Sequence, residues 1–291
     1  MFIATLLTNP NRPVLDRVIV ESLRNAWGGG DAVWLDPAVA AEFGVETMPD
    51  NRWQVWDGLQ SIGIDLVVQP AWARKKRLLI ADMDSTMIEQ ECIDELADEA
   101  GFGARVAAIT ARAMNGELDF DAALRERVGL LAGLPETVIA QVIRDRITLM
   151  PGGAVLLATM KANGAYAALV SGGFTAFTGH IAAVLGFDEN RANVLMVLDG
   201  KLTGEVAAPI LGRAAKVQAL QEISARLGIT PRDAMAVGDG ANDLGMLGLA
   251  GAGVALHAKP NVQAECDIRI NHGDLTALLY LQGYARAEFV G

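Results

Sequence analysis

Cysteine is nearly absent from this chain: Cys92 and Cys266 are the only two among 291 residues. They lie far apart and neither has a CxxC partner, which excludes a disulfide framework and a thiolate zinc site. Cys92 falls on the apolar side of an expected helix and reads as a small core residue. Positive charge is also in deficit, with 24 Lys and Arg against 35 Asp and Glu and a formal net charge of −11. A surface of that sign repels a phosphate backbone, so no nucleic-acid partner is expected. No basic region followed by an apolar core occurs at the N-terminus, so no secretory signal is read. The Gly-rich uncharged run 244–258 falls short of the roughly 18 residues of a membrane span, so no membrane partner is expected. These absences point to a cytoplasmic chain acting on a small molecule, with a homodimer left open.

What is present is patterned. A content of 52% hydrophobic and 20% charged residues suits a globular protein with a sizeable core, and the length suits about two domains. Over residues 1–72, strand-like runs at 2–7, 32–35 and 65–69 alternate with helix-like runs at 14–27 and 52–62. This reads as a small α+β module in which a βαββαβ order is not traceable. It holds no cluster of His, Cys or paired carboxylates, so a regulatory or structural role is expected. The Pro-led basic cluster at 70–77 reads as a solvated linker.

The remainder, 73–291, has strand signals at 78–81, 166–170, 234–237, 253–256 and 268–270. Helical stretches at 153–163, 174–185 and 213–227 are each followed by a glycine (Gly164, Gly186, Gly228). Such alternation predicts an α/β fold with a mostly parallel sheet and right-handed crossovers. Residues 88–148 break the pattern. Ile88, Cys92, Leu96 and Ala100 recur every four residues, as do Phe120, Leu124 and Val128, and Pro135 opens a further helix. This stretch is predicted to be a helical cap inserted after the first strand of the sheet and standing over the strand ends.

Three short motifs fall just past strand ends, where ligands bind in such sheets. In Asp82-Met83-Asp84-Ser85-Thr86, two carboxylates this close push each other's protonation apart. Asp82 suits a nucleophile that forms an aspartyl phosphate, and Asp84 a general acid that later acts as base. Gly238-Asp239-Gly240-Ala241-Asn242-Asp243 places Asp239 to join Asp82 and the Asp84 backbone around a hard cation, for which Mg²⁺ is the natural choice. Asp243 is expected to orient these ligands or cap the following helix. Ser171 and Gly172, in Ser171-Gly172-Gly173, are expected to cradle phosphoryl oxygens at a helix N-terminus. Lys216 on the 213–227 helix is expected to offset charge on the transferring oxygens. The histidines His180, His257 and His272 lie off these motifs and read as structural.

The order DxDST, strand-Ser, helical Lys, GDGxND resembles the haloacid dehalogenase superfamily over roughly residues 77–291. Asp82 to Thr86 followed by Glu91, the segment Leu124-Arg125-Glu126-Arg127-Val128 and the run from Val237 to Asp243 narrow the resemblance to the phosphoserine phosphatase family. The resemblance implies that Glu91 reads the substrate and that Arg127, rather than Arg125, meets its carboxylate. It also implies that Asn242 belongs to the substrate-binding set and that residues 199–204 form a hairpin near the site. The activity it implies is Mg²⁺-dependent hydrolysis of O-phospho-L-serine to L-serine and phosphate, the last step of serine synthesis. The alternatives are another small phosphomonoesterase or phosphotransferase or, from a different class, a non-enzymatic phospho-aspartate switch. Against the switch stands Asp84, a group that would hasten loss of the signal. The resemblance further implies that an amino-acid-binding ACT-type module, which bacterial members often carry at the N-terminus, is what 1–72 suits by size.

Overall fold

The computed structural model describes residues 1–115 and 117–291. The N-terminal module runs β1 (Phe2–Thr8), α1 (Arg17–Ala26), β2 (Val33–Asp36), β3 (Ala40–Val45), α2 (Arg52–Gln60) and β4 (Ile64–Pro70). Asp16 caps α1, its carboxylate accepting from the Ile19 N–H at 2.8 Å. The sheet order is β2-β3-β1-β4, antiparallel throughout. The order βαββαβ, not traceable from sequence, is therefore present. The strand that completes it is β3, whose Ala-Ala-Glu-Phe-Gly-Val is poor in β-branched residues and carries no strand signal of its own.

Alternate residues of β4 serve different cores. Ile64, Leu66 and Val68 pack beneath α1 and α2 with Ala4, Leu6, Val20 and Phe43. Val67 faces the other way, into the large core of the following domain. Fully buried beside it, the Asp65 carboxylate accepts from the backbone N–H groups of Asn271, His272 and Gly273, each at 2.9 Å. The basic segment after β4 is docked in part: Arg74 and Lys76 are half-buried, while Lys75 and Arg77 stay exposed as the linker reading expects. Arg74 pairs with Glu42 and donates to the Leu281 carbonyl at 3.0 Å. Lys75 lies 4.1 Å from the Tyr284 ring centroid, and Lys76 donates to the Arg232 carbonyl at 3.0 Å. Carbonyls and an aromatic face of the second domain thus meet part of a segment that the sequence reading assigned wholly to water.

The second domain begins with β5 (Leu78–Ala81) and then the cap helices α3 (Cys92–Glu99), α4 (Gly103–Met114), α5 (Phe120–Gly129) and α6 (Thr137–Arg146). There follow α7 (Gly153–Ala162), β6 (Tyr166–Phe174), α8 (Thr175–Leu185), β7 (Glu189–Asn193), and a hairpin of β8 (Leu195–Leu198) and β9 (Lys201–Val206). The chain ends with α9 (Arg213–Arg226), β10 (Ala234–Gly238), α10 (Leu244–Leu249), β11 (Ala252–Leu256), α11 (Pro260–Ala264), β12 (Ile268–Ile270) and α12 (Ala277–Leu281). Six strands form one parallel sheet in the order β12-β11-β10-β5-β6-β7. The edge strand β7, Glu-Asn-Arg-Ala-Asn, was not expected, because its polar composition hides it. Both faces of the sheet are covered by apolar cores, as a parallel sheet requires.

The two stems of the cap meet at an antiparallel bridge between Ile88 and Leu149, with Glu89 N–H donating to the Thr148 carbonyl at 3.0 Å. The hairpin leans on the cap beyond α5, where Gly133 N–H donates to the Leu202 carbonyl at 2.8 Å. An uncharged stretch longer than 244–258 occurs at 162–187, but it is divided between β6 and α8. Among the described residues no helix is long and apolar enough to cross a membrane.

Asp65 joins the module to the second domain through three buried N–H groups. Replacing it with alanine leaves them without an acceptor, and Asp65→Ala should lower unfolding free energy by about 3 kcal/mol, read from urea denaturation.

Candidate active site

The strands β10, β5 and β6 are neighbours in the sheet, and their carboxyl ends bring the three motifs together. Asp82 follows β5 directly and its N–H donates to the Val237 carbonyl at 3.0 Å. The ladder thus continues one residue past the strand and holds the side chain at the crevice. Asp82 is 3% exposed. Its Oδ1 accepts from the Met83 N–H at 2.7 Å, and its Oδ2 lies 2.8 Å from Lys216 Nζ. Lys216, fully buried on α9, also reaches Asp243 Oδ1 at 2.6 Å. Burial opposes the ammonium charge, but Asp243 and then Asp82 more than offset it, and Lys216 stays protonated well above its ordinary range. Gly238 permits this approach, since a Cβ there would lie 2.4 Å from Asp243 Cγ.

Asp84 points away from Lys216. Its Oδ1 accepts from the Cys92 N–H, the first of α3, at 2.9 Å, and its Oδ2 accepts from Ser171 Oγ at 3.3 Å. Gly173 is required beside it, because a Cβ would stand 2.6 Å from Asp84 Oδ2. Ser85 adopts the left-handed region at φ 53° and donates to Glu91 Oε1 at 2.7 Å. One correction concerns the glycine turn. Residues 171–173 belong to the end of β6, not to a helix N-terminus, and the Gly173 N–H is already given to Ser171 Oγ at 2.8 Å. A register shift against β7 between Val170 and Phe174 carries β6 past its apolar run.

Asp82, Asp239 and Asp243 each present a carboxylate oxygen within 4.8 Å of the others. Both oxygens of Asp239 are buried and have no hydrogen-bond partner among the described residues. A buried carboxylate without donors is unfavourable, and a hard cation supplies what the protein does not. An all-oxygen donor set of this kind fits Mg²⁺. The Asp84 carboxylate lies outside the trio. Asp243, expected to orient the ligands, stands close enough to join them, but its Oδ1 accepts from Lys216 at 2.6 Å and its Oδ2 from the Gly240 N–H at 3.1 Å.

A cavity of about 420 Å³ of empty space, its mouth included, opens above these groups. Its walls are Asp82, Asp84, Ser171 and Gly172 below and Glu91, Phe120 and Arg127 from the cap. Arg127 is 5% exposed and faces this space, whereas Arg125 is on the exposed side of the same helix. Asn242 also lines the cavity, and its Oδ1 is buried without a partner among the described residues. Phe120, read from sequence only as a core position, caps Gly172: a Cβ on that glycine would be 2.8 Å from Phe120 Cζ. His180, His257 and His272 do not line this cavity.

Five carboxylates share the site with the cations Lys216 and Arg127. Burial and then the Asp82 charge push Asp84 up to about 6. Burial and Asp84 push Glu91 to about 8, and burial and Asp82 push Asp243 to about 7. Asp239 is raised well above the carboxylate range, chiefly by burial. Arg127 is lowered by burial, opposed first by Glu91.

The chain matches the model of the haloacid dehalogenase-like hydrolases over residues 79–248. It is 48% identical over 204 residues to a phosphoserine phosphatase of Haemophilus influenzae, an alignment covering 70% of this chain and 65% of that protein. The chain thus spans just under two thirds of that relative's length. A crystal structure of a phosphoserine phosphatase holding a phospho-aspartyl intermediate analogue aligns with TM-score 0.68 and 43% identity, over 71% of this chain and 98% of the other. A hydrolase of the same superfamily from Salmonella enterica aligns over 96% of this chain and 97% of its own, N-terminal module included, with TM-score 0.84 and 33% identity. The chain belongs to the haloacid dehalogenase-like hydrolases and, among them, to the phosphoserine phosphatase family.

The raised carboxylates make the metal-free protein sensitive to alkali. Each keeps its proton in the folded state at pH values where the unfolded chain, with pKa near about 4, has lost it. Stability of the metal-free protein should therefore fall as pH rises from about 5 to 8.5, through the values of Asp84, Asp243 and Glu91. Thermal melting in EDTA should show this decline, and added Mg²⁺ should raise the melting temperature more at pH 8 than at pH 5.5.

Proposed function

We propose that this chain is a Mg²⁺-dependent phosphatase that hydrolyses O-phospho-L-serine to L-serine and phosphate, the final step of serine synthesis, in the cytoplasm. The observation that carries the substrate is the cap wall of the cavity, where Glu91 and Arg127 stand opposite the carboxylates Asp82 and Asp84. A molecule with an ammonium, a carboxylate and a phosphate needs one acid and one base on the cap side, and Glu91 and Arg127 provide one of each.

Asp82, Asp239 and the Asp84 backbone would hold Mg²⁺, with Asp243 beside them, and the bound ion would neutralise phosphoryl charge. Asp82 attacks phosphorus, forming the Asp82 O–P bond as the P–O bond to the serine side chain breaks. Asp84, its proton held near neutrality by burial and by Asp82, gives that proton to the departing alkoxide. Asp84 then takes a proton from water as water attacks the aspartyl phosphate, and phosphate leaves with Asp82 restored. Lys216 orients Asp82 through its 2.8 Å contact and offsets negative charge beside it. Ser171 holds Asp84, and Asn242 offers its unpartnered oxygen to the substrate.

We also read the N-terminal module as an ACT-like regulatory unit. Its βαββαβ order and antiparallel sheet support that reading, and none of the residues assigned to the reaction lies in it.

Phosphate release should be measured from a panel of phosphomonoesters with Mg²⁺ and with EDTA. O-phospho-L-serine should be turned over fastest, and EDTA should abolish release. Asp82→Asn should reduce turnover to background, and Asp84→Asn should slow it strongly while Mg²⁺ still binds. Arg127→Ala should raise KM for O-phospho-L-serine by about 10²-fold and change p-nitrophenyl phosphate little. Equal effects on both esters would remove Arg127 from substrate reading.

A further inference from the structure

Arg127 lies where three cap helices cross, and the residues holding it are outside every motif. Its Nε donates to the Ala123 carbonyl one turn earlier on α5, at 3.1 Å. Its Nη1 donates to Thr110 Oγ1 on α4, at 3.0 Å. Thr110 is 3% exposed and donates in turn to Asp94 Oδ1, in the first turn of α3, at 2.6 Å. A hydroxyl has one proton to give and lone pairs to receive. Here both capacities point the same way, from the guanidinium to the hydroxyl to the carboxylate. The remaining N–H donors of Arg127 have no hydrogen-bond partner among the described residues, and the side chain lines the cavity.

We propose that Asp94 and Thr110 form a positioning relay that fixes the Arg127 guanidinium plane toward the cavity and so sets the preference for a substrate bearing a carboxylate. The inference rests on the reading of Arg127 as the carboxylate partner. An unheld arginine carries about 2 kcal/mol of rotamer entropy, lost when a ligand orders it. A planar fork pinned at Nε and Nη1 has already lost that freedom, which favours binding. The relay also fits the local electrostatics. Burial raises Asp94, and the Thr110 hydrogen bond and Arg127 charge oppose the shift. Valine at 110 keeps the shape and removes both hydrogen bonds; serine keeps the hydroxyl.

The test compares O-phospho-L-serine with p-nitrophenyl phosphate, which has no carboxylate. Thr110→Val should raise KM for O-phospho-L-serine about tenfold, with kcat within about threefold and p-nitrophenyl phosphate within about twofold. Thr110→Ser should restore the wild-type KM. In an Arg127→Ala background Thr110→Val should have no further effect, because it acts only through Arg127. Equal losses on both esters, or a loss that persists without Arg127, would mark a structural role and overturn the relay. If Thr110→Val fails to melt cooperatively, Asp94→Ala at the partly exposed outer end should give the same substrate split at smaller amplitude, and no split would overturn the relay. Should Arg127→Ala itself not separate the two esters, the reading beneath the relay falls with it. Arg127→Ala separating them while Thr110→Val and Asp94→Ala do not would remove the relay alone.

Discussion

The contact on which the site depends is the buried ammonium of Lys216 held between Asp82 and Asp243, at 2.8 and 2.6 Å. It joins three elements that are distant in sequence: the end of β5, the helix α9 and the turn after β10. Without it, Asp82 and Asp243 would face each other and Asp239 with no cation of the protein's own between them. Breaking a buried pair leaves an uncompensated charge, which is far more unfavourable than never having buried it. The arrangement is locally unfavourable and persists because the sheet around it is covered on both faces. Even so the charge is not balanced, and the orphaned oxygens of Asp239 mark where the remaining positive charge belongs.

Above this floor, the cap closes the cavity through a different kind of order. Its helices enter and leave through stems joined at Ile88 and Leu149, and a second bridge, Pro135 to Lys201, ties its far side to the hairpin. The cap side chains that face the cavity are oriented by neighbours of their own. Ser85, in a left-handed conformation within the nucleophile motif, holds Glu91, and Thr110 with Asp94 holds Arg127. The acidic motifs stand on strand ends, and Glu91 and Arg127 reach the cavity from the cap.

The N-terminal module is bound to the second domain by burial on both faces of its sheet. β4 sends alternate residues to its own core and to its neighbour's; Arg74 pairs with Glu42 of the module while also donating, like Lys76, to carbonyls of the second domain. A composition-based reading sees a basic segment after a proline and expects water around it. Only the fold shows that carbonyls of Leu281 and Arg232 and the ring of Tyr284 lie within reach.

Much of the floor was legible in the sequence because its chemistry is local. Two acids two residues apart after an apolar run, and a Gly-bounded acidic turn after another, have a spacing that survives without coordinates. Long apolar strands and glycine-ended helices were legible for the same reason. The strands β3 and β7 were not, because alanine, glycine and polar residues become strands there only by pairing with neighbours already in place. Arg125 and Arg127 are chemically alike, so the sequence separated them only by resemblance to the family, whereas burial on one side of α5 separates them physically. The roles of Thr110 and Asp94 could not be read at all, since a relay across three helices has no sequence period. The sequence by itself determined the acidic motifs and the alternation that builds the sheet, because those depend on neighbours along the chain. The tertiary structure alone decided how the cap side chains face the cavity and what holds them, because hydrogen bonds between helices depend on packing.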